Sequence, residues 1–227
     1  MKTLKKQGGF TLVEIAIVLV IVGLLLAGVL KGQELIENSK IKSIANDMKA
    51  VQASYNGYID RYKQLPGSEL AATMTARGWP GAAGAAVSGV LTIPVADTFT
   101  NGSDQAAFWR ALRASGFFTG DPTATTAQGV AGLPRHAGGG LIGVASGVVY
   151  GQSGVSVCAA GLTTKQAAGI DSLLDGALPA TQIGNNLGSI RGQTSAVNPF
   201  PPIIGNPGGV AYSETAQTNP WTLCIKI

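Results

Sequence analysis

The chain has 227 residues, of which 45% are apolar, only 12% are charged and 32 are glycine. This length allows one soluble domain besides a membrane segment. The formal net charge is +4, but three of the 16 basic side chains lie within the first nine residues. The other 13 basic residues balance 12 acidic ones and leave no strong nucleic-acid footprint, so we expect no specific nucleic-acid partner.

The first element is an apolar run over residues 10–30 with a single charged residue, preceded by a short basic segment that ends in two glycines. A helix of this length, at about 1.5 Å per residue, crosses the hydrocarbon core of a bilayer. The lysines before it predict that the N-terminus stays in the cytoplasm while the rest is exported. The run is too long for the apolar part of an ordinary secretory signal peptide.

Glu14 is the single charged side chain in this apolar run. A carboxylate at the centre of a bilayer costs about 2.5–3.5 kcal/mol on insertion scales, and less near the interface. A plain membrane anchor would avoid that cost. Intramembrane carboxylates are functional by default, so we expect Glu14 to have a partner that offsets its burial.

The sequence GFTLVE at residues 9–14, with its basic leader, resembles the prepilin cleavage and methylation motif of type IV pilins and type II secretion pseudopilins. The resemblance implies that a prepilin peptidase cuts between Gly9 and Phe10 and methylates the new N-terminus at Phe10. It also implies that Glu14 neutralises the N-terminal amine of a neighbouring subunit during filament assembly. A buried carboxylate and a buried ammonium are costly alone and tolerable as a pair.

Beyond Lys31 the pattern predicts an amphipathic continuation of the helix over residues 31–63. Apolar and aromatic side chains recur there at alternating steps of three and four residues, which is typical of one buried helix face. The members of this stripe are Ile41, Ile44, Met48, Val51, Tyr55, Tyr58 and Tyr62. We interpret the stripe as the face on which the head domain packs. Pro66 ends the helix, because proline disfavours the helical conformation in the residue before it.

The first part of the head is expected to be irregular. Residues 68–102 are rich in alanine, glycine, threonine and proline, and predict a long connection with one optional strand at 90–95. Residues 103–115 predict a short helix that Ser103 caps and Gly116 ends. Phe108 and Leu112 are its expected inward-facing side chains.

The second part of the head predicts an antiparallel sheet that lies on the helix stripe, which gives an α+β fold. Apolar runs predict strands at 141–150 and 154–158, or alternatively a hairpin within the first run. A helix at 164–174, capped by one of two threonines, follows. Further strands are expected at 188–191 and 221–227, the last with strict apolar alternation.

Cys158 and Cys224 are the two cysteines of the chain. In an exported domain two cysteines most simply form one disulfide, and the resembling family often uses one to fix its C-terminal region. Such a bond would tie the second predicted strand to the last and stabilise by about 4 kcal/mol in the chain-entropy model. Free thiols or a metal pair are the alternatives, the latter disfavoured by the lack of a CxxC spacing or companion histidines.

Few residues are candidates for a catalytic or metal-binding site. His136, the single histidine, is predicted to lie exposed in a glycine-rich loop, and one histidine supports no Ser-His-Asp triad. Asp171 and Asp175 share a helix face and could contribute to a calcium site, although solvated surface carboxylates are the preferred interpretation. We therefore expect no enzymatic activity, no cofactor and no metal.

These observations predict four segments: a leader (1–9), a membrane-spanning and filament-core helix (10–30), its amphipathic continuation (31–63) and the head (64–227). The resemblance implies a structural subunit that polymerises into a type IV pilus. The alternatives are a type II secretion pseudopilin and a membrane-tethered binding or adhesion module that never polymerises.

The implied partners are copies of the chain or related pilins, the prepilin peptidase, the membrane and the inner-membrane assembly machinery. The precursor is expected in the inner membrane with a cytoplasmic N-terminus. The assembled filament is expected in the periplasm or at the cell surface.

Overall fold

The structure, a computed structural model, describes residues 11–79, 89–100, 104–123, 132–176, 186, 188–208, 212 and 219–227. The described elements in chain order are α1 (Leu12–Tyr62), α2 (Ala71–Ala76), a 3-10 turn (Val95–Asp97), α3 (Gln105–Ala114), β1 (Ile142–Val149), β2 (Gln152–Leu162), α4 (Thr164–Leu174), β3 (Ile190–Thr194) and β4 (Trp221–Lys226). The chain divides into two compact units, Met1–Ser39 and Lys40–Ile227. The expected α+β architecture, a long N-terminal helix plus an antiparallel sheet, is confirmed.

The part of α1 that belongs to the second unit carries the predicted buried stripe. Its apolar members from Ile41 to Tyr58 are each at most 8% exposed, and they belong to the core of the second unit. Two glycines allow close packing against this face. A Cβ at Gly169 of α4 would lie 2.7 Å from the Ile41 side chain, and one at Gly57 would lie 2.9 Å from the Phe117 ring. The helix stripe therefore packs as the sequence predicts.

The sheet has four strands in the order β1-β2-β4-β3, and every neighbouring pair is antiparallel. β1 is continuous, so the alternative hairpin within residues 141–150 is wrong. The turn to β2 lies at Tyr150 and Gly151, which both adopt positive φ, as a two-residue hairpin turn requires. β2 runs four residues beyond its predicted end because it pairs with β1 on one side and β4 on the other.

Both edge strands of this sheet have outward amide groups that bond elsewhere in the head. On β1, the Ile142 amide donates to the Pro134 carbonyl at 2.8 Å, and Ser146 exchanges bonds with Ile93. On β3, the Ile190 amide donates to the Asp175 carboxylate at 2.8 Å. The Gly192 amide of β3 likewise donates to the Asn186 side chain at 2.7 Å. These bonds remove donors that an added strand would need.

Three local predictions differ from the structure. The optional strand at 90–95 is wrong, because the Ser146 side chain bonds the segment at Leu91 and Ile93 before the chain turns at Val95–Asp97. Helix α3 begins at Gln105, and Ser103, its predicted cap, lies outside the described residues. The strand predicted at 188–191 is β3, shifted two residues towards the C-terminus.

The cap of α4 is the first of the two threonines that the sequence offered. The Thr163 side chain accepts a bond from the Gln166 amide, and the Gln166 side chain accepts one from the Thr163 amide, both at 3.2 Å. This reciprocal capping box satisfies two donors that the first helical turn leaves without partners. α4 thereby starts directly after β2 and packs against the core through Ala167 and Ile170.

Candidate functional site

The N-terminal motif is described from Thr11 onwards, and Gly9 and Phe10 lie outside the described residues. Thr11 caps α1. Its backbone amide and its hydroxyl donate to Glu14 Oε2 at 2.8 and 2.7 Å, and its Oγ1 accepts from the Glu14 amide at 3.3 Å. This is a capping box that fixes the Glu14 carboxylate at the very start of the helix.

The helix that follows Glu14 presents a continuous apolar surface. All side chains from residue 11 to residue 30 are exposed in the first unit, and none of the most apolar 18-residue window is buried. That window has a mean hydropathy of 2.9, and α1 is the one helix in the described part of the chain that is long and apolar enough to span a membrane. A soluble monomer would expose this surface at a large free-energy cost, so it requires a covering of lipid or protein.

Charged side chains resume immediately after the apolar run. Lys31 and Glu34 form an ion pair of 2.7 Å in which both side chains are largely exposed. Exposed surface ion pairs add little stability, so this pair contributes little to holding the helix together. The apolar side chains of Leu35 and Ile36 are about 60% exposed beyond it.

Cys158 and Cys224 lie directly opposite each other on neighbouring strands β2 and β4. The structure joins them in a disulfide with an S–S distance of 2.09 Å across 66 residues of sequence, and both are buried. The bond joins the two central strands of the sheet, one of which, β4, is the last strand of the chain. Since β4 is placed between β2 and β3, this bond restrains the order of the sheet.

His136 is buried, which corrects the prediction of an exposed loop histidine. Its ring is 3% exposed and its Nε2 lies 2.9 Å from the Ala160 carbonyl of β2. The glycines at 138–140 have a structural role: a Cβ at Gly140 would collide with this carbonyl and with the ring, and one at Gly138 would lie 3.0 Å from the ring. Burial lowers the pKa of His136 below its ordinary value of 6.5, against opposing effects of the Ala160 bond and of Asp47.

The two aspartates on α4 organise neighbouring loops. Asp175, at the helix end, accepts bonds from the Ser189 hydroxyl and the Ile190 amide. Asp171 is only 4% exposed and hydrogen-bonds to Tyr212, where burial and this carboxylate raise the pKa of the tyrosine. The preferred interpretation of solvated surface carboxylates is therefore wrong for Asp171. Among the described residues, no group of three His, Cys, Asp or Glu side chains is placed to hold a metal ion.

A buried carboxylate at the end of α1 was not predicted. Glu69 is 3% exposed and accepts bonds from the Tyr58 hydroxyl, at 2.9 Å, and from the Arg77 guanidinium. Burial, together with the Glu69 bond, raises the pKa of Tyr58. Arg77 in turn lies 4.6 Å from the centre of the Tyr62 ring and 5.1 Å from that of Trp79. No spacing in the sequence marks this cluster, because Glu69 and Arg77 lie in a stretch without periodicity.

Comparison with known families matches residues 4–30 to the prokaryotic N-terminal methylation motif. A search of curated proteins gave no match to the chain. The matched segment covers residues 4–9 of the basic leader, the residues around Glu14 and the exposed apolar helix to residue 30. Together with the α+β architecture, this match supports a protein of the pilin or pseudopilin class with a membrane-anchored precursor. The chain thus carries the prepilin signature of type IV pilins and pseudopilins, which implies processing by a prepilin peptidase and assembly into pilin-like polymers.

Proposed function

We propose that the chain is a structural subunit that polymerises into a type IV pilus after cleavage between Gly9 and Phe10 and methylation of Phe10. The observation that carries the proposal is the apolar surface of residues 12–30, exposed on every side and interrupted only by the Glu14 carboxylate at its start. Lipid covers this surface in the precursor, and helices of neighbouring subunits cover it in the filament.

Glu14 has a second role in this proposal. The Thr11 amide and hydroxyl both donate to Oε2 of its carboxylate. We infer that Oε1 receives the ammonium group of Phe10 from the neighbouring subunit. The capping box holds the carboxylate in one orientation before that contact forms, which reduces the entropy lost on assembly.

The head supports polymerisation through the helix rather than through its sheet. The outward amides of Ile142 and Ser146 on one edge, and of Ile190 and Gly192 on the other, are already bonded within the head. These bonds disfavour strand addition at both edges. The head therefore fits the role of an outer domain that coats a helical filament core.

The hydrogen bonds made by the side chains that could carry out chemistry also agree with a structural role. His136, Asp171 and Asp175 all make hydrogen bonds that hold loops in the head. We accordingly propose that the protein is not an enzyme and works without a cofactor. Residues 1–9 are the leader, 10–30 the membrane and filament-core segment, 31–63 its amphipathic continuation and 64–227 the head.

The same proposal places the precursor in the inner membrane with its N-terminus in the cytoplasm, and the assembled subunit in a filament outside that membrane. The direct test is deletion in the native host followed by complementation, with filaments scored by electron microscopy and exoprotein secretion assayed in parallel. Loss of surface filaments with secretion intact is the expected result. Loss of secretion with filaments intact would assign the chain to the pseudopilins instead.

A further inference from the structure

A short strap in the head, residues 135–140, is built around His136. The buried ring uses both of its nitrogens: Nε2 bonds to the Ala160 carbonyl at 2.9 Å, and Nδ1 accepts from the Gly138 amide at 3.0 Å. A carbonyl can only accept and a backbone amide can only donate, so the ring is neutral and carries its proton on Nε2.

The strap connects two elements of the head. His136 anchors it to β2 through Ala160, and the Ala137 amide donates to Asp47 Oδ2 of α1 at 2.9 Å. The backbone of the strap forms a turn, because the His136 amide donates to the Gly140 carbonyl at 3.0 Å. Any rearrangement of the ring therefore reaches the contact with α1 one residue away.

The ring cannot take up a second proton without losing one of its two hydrogen bonds. A proton on Nδ1 would point at the Gly138 N–H, which would replace an attraction by a repulsion and leave a charge in a buried position. The charged groups that face the ring are Asp47 from α1, which favours the protonated form, and Arg135 from the strap, which opposes it. β2 contributes the carbonyl of Ala160 to the ring.

We propose that the strap is an acid-sensitive clasp, in which protonation of His136 breaks its bond from the Gly138 amide and loosens the strap next to its contact with α1, while the Nε2–H group keeps its bond to Ala160. The strap also walls two surface clefts. One, of about 460 Å³, is lined by Arg135, the three glycines and Asn198, and the other, of about 320 Å³, by Asp47, Arg113 and Arg135. Loosening of the strap at Ala137 and Gly138 in acid would reshape both clefts and so change the surface that the head presents.

The test is NMR on the full-length protein in detergent micelles, with histidine labelled by nitrogen-15. His136 is the single histidine of the chain, so its signals need no further assignment. The expected result is an unprotonated Nδ1 at neutral pH and a titration midpoint below 6.5. Hydrogen-exchange protection of the Ala137 and Gly138 amides should be lost through the same titration. A midpoint at or above 6.5, or protection that does not change, would overturn the proposal.

The control variant is His136→Gln, which keeps a side-chain donor for the Ala160 carbonyl and cannot titrate. In the wild type, protection of the strap amides should fall on the order of tenfold for each pH unit between 6.5 and the lower titration midpoint, as single-proton linkage requires. In His136→Gln this dependence should disappear, and a retained dependence would contradict the clasp. If the variant does not fold, the wild-type titration alone decides, since it measures the tautomer, the midpoint and the loosening together.

Discussion

Residues 12–30 and residues 41–58 belong to the same helix, yet their side chains have opposite environments. The first stretch is apolar apart from Glu14 and is exposed at every position, whereas the second is apolar on one stripe that is almost completely buried. The second stretch finds its partner surface within its own head. The apolar surface of the first stretch requires a covering of lipid or protein.

The periodicity of each stretch matches this division. A stripe with steps of three and four residues buries one face against a domain and leaves charged side chains for the other faces. A helix that is apolar all round has no face suited to water, and is stable only in lipid or in a helical bundle. Five predictions test whether the two stretches have these separate roles, beginning with the largest expected effect.

Glu14→Gln should abolish filament formation while the protein still accumulates in the membrane. Glutamine retains the capping box with Thr11, because that position accepts either glutamate or glutamine, but it removes the charge that we propose pairs with the amine of a neighbouring subunit. Electron microscopy and membrane fractionation give the two readouts. Glu34→Gln is the matched control, as Glu34 lies on the same helix in an exposed ion pair, and filaments should persist. Normal filaments in Glu14→Gln would refute the assembly role.

Ile44→Ala and Ile21→Ala compare the two stretches directly. Ile44 is fully buried, so its truncation should lower the free energy of unfolding of the head by about 2–5 kcal/mol. Ile21 is 52% exposed, and its truncation should leave head stability unchanged. Chemical denaturation in micelles, followed by tryptophan fluorescence, measures both. Equal losses in the two variants would mean that the stretches do not differ as described.

Removal of the disulfide tests how far the core that buries the second stretch depends on the sheet. The double variant Cys158→Ala with Cys224→Ala should lower the free energy of unfolding by about 2–4 kcal/mol, since the bond closes a long loop. Reduction of the wild-type protein should reproduce this loss. A double variant as stable as the wild type would show that strand pairing alone holds β4 in place.

Head stability should also depend on pH through His136. Its pKa in the folded protein lies below 6.5, so the unfolded chain binds the proton more readily. The stability contributed by the neutral ring is therefore fully present above 6.5 and is lost as the pH falls through the folded pKa. Thermal unfolding at a series of pH values should show a steeper loss for the wild type than for His136→Gln. Parallel curves would exclude this contribution.

The smallest effect is expected for Asp47→Ala, which removes the acceptor of the Ala137 amide near the buried stretch. This single bond is worth about 0.5–1.5 kcal/mol. Asp60→Ala, an exposed acidic position on the same helix, serves as the control and should cost less. If the two variants are equally stable, Asp47 does not contribute to the attachment of the strap.

Local patterns in the sequence were sufficient to predict most of the elements, although α2 (Ala71–Ala76) lies in the stretch that was predicted to be irregular. The stripe from Ile41 to Tyr62, the strand alternation at 221–227 and the capping threonine before α4 depend on neighbours within a few residues. Those signals identify a helix, a strand and a helix start by their spacing alone. The apolar segment and Glu14 were likewise identified from residues that are neighbours in the sequence.

Contacts between distant parts of the chain could not be predicted in this way. His136 is buried because it bonds to Ala160, and Leu91 and Ile93 lack strand pairing because Ser146 bonds them, more than fifty residues along the chain. The Glu69 cluster and the bond of Asp175 to the edge strand β3 also depend on tertiary packing. A glutamate in an irregular stretch gives no sign that a tyrosine and an arginine will enclose it.

The most direct test of a subunit processed for polymerisation is the mass of its N-terminal peptide after purification from the native host. Cleavage and methylation predict a chain that starts at Phe10 and carries one added methyl group. A chain that starts at Met1, in a host that possesses the prepilin peptidase, would contradict this. The exposed apolar stretch would then be a permanent anchor, and Glu14 would need a different partner.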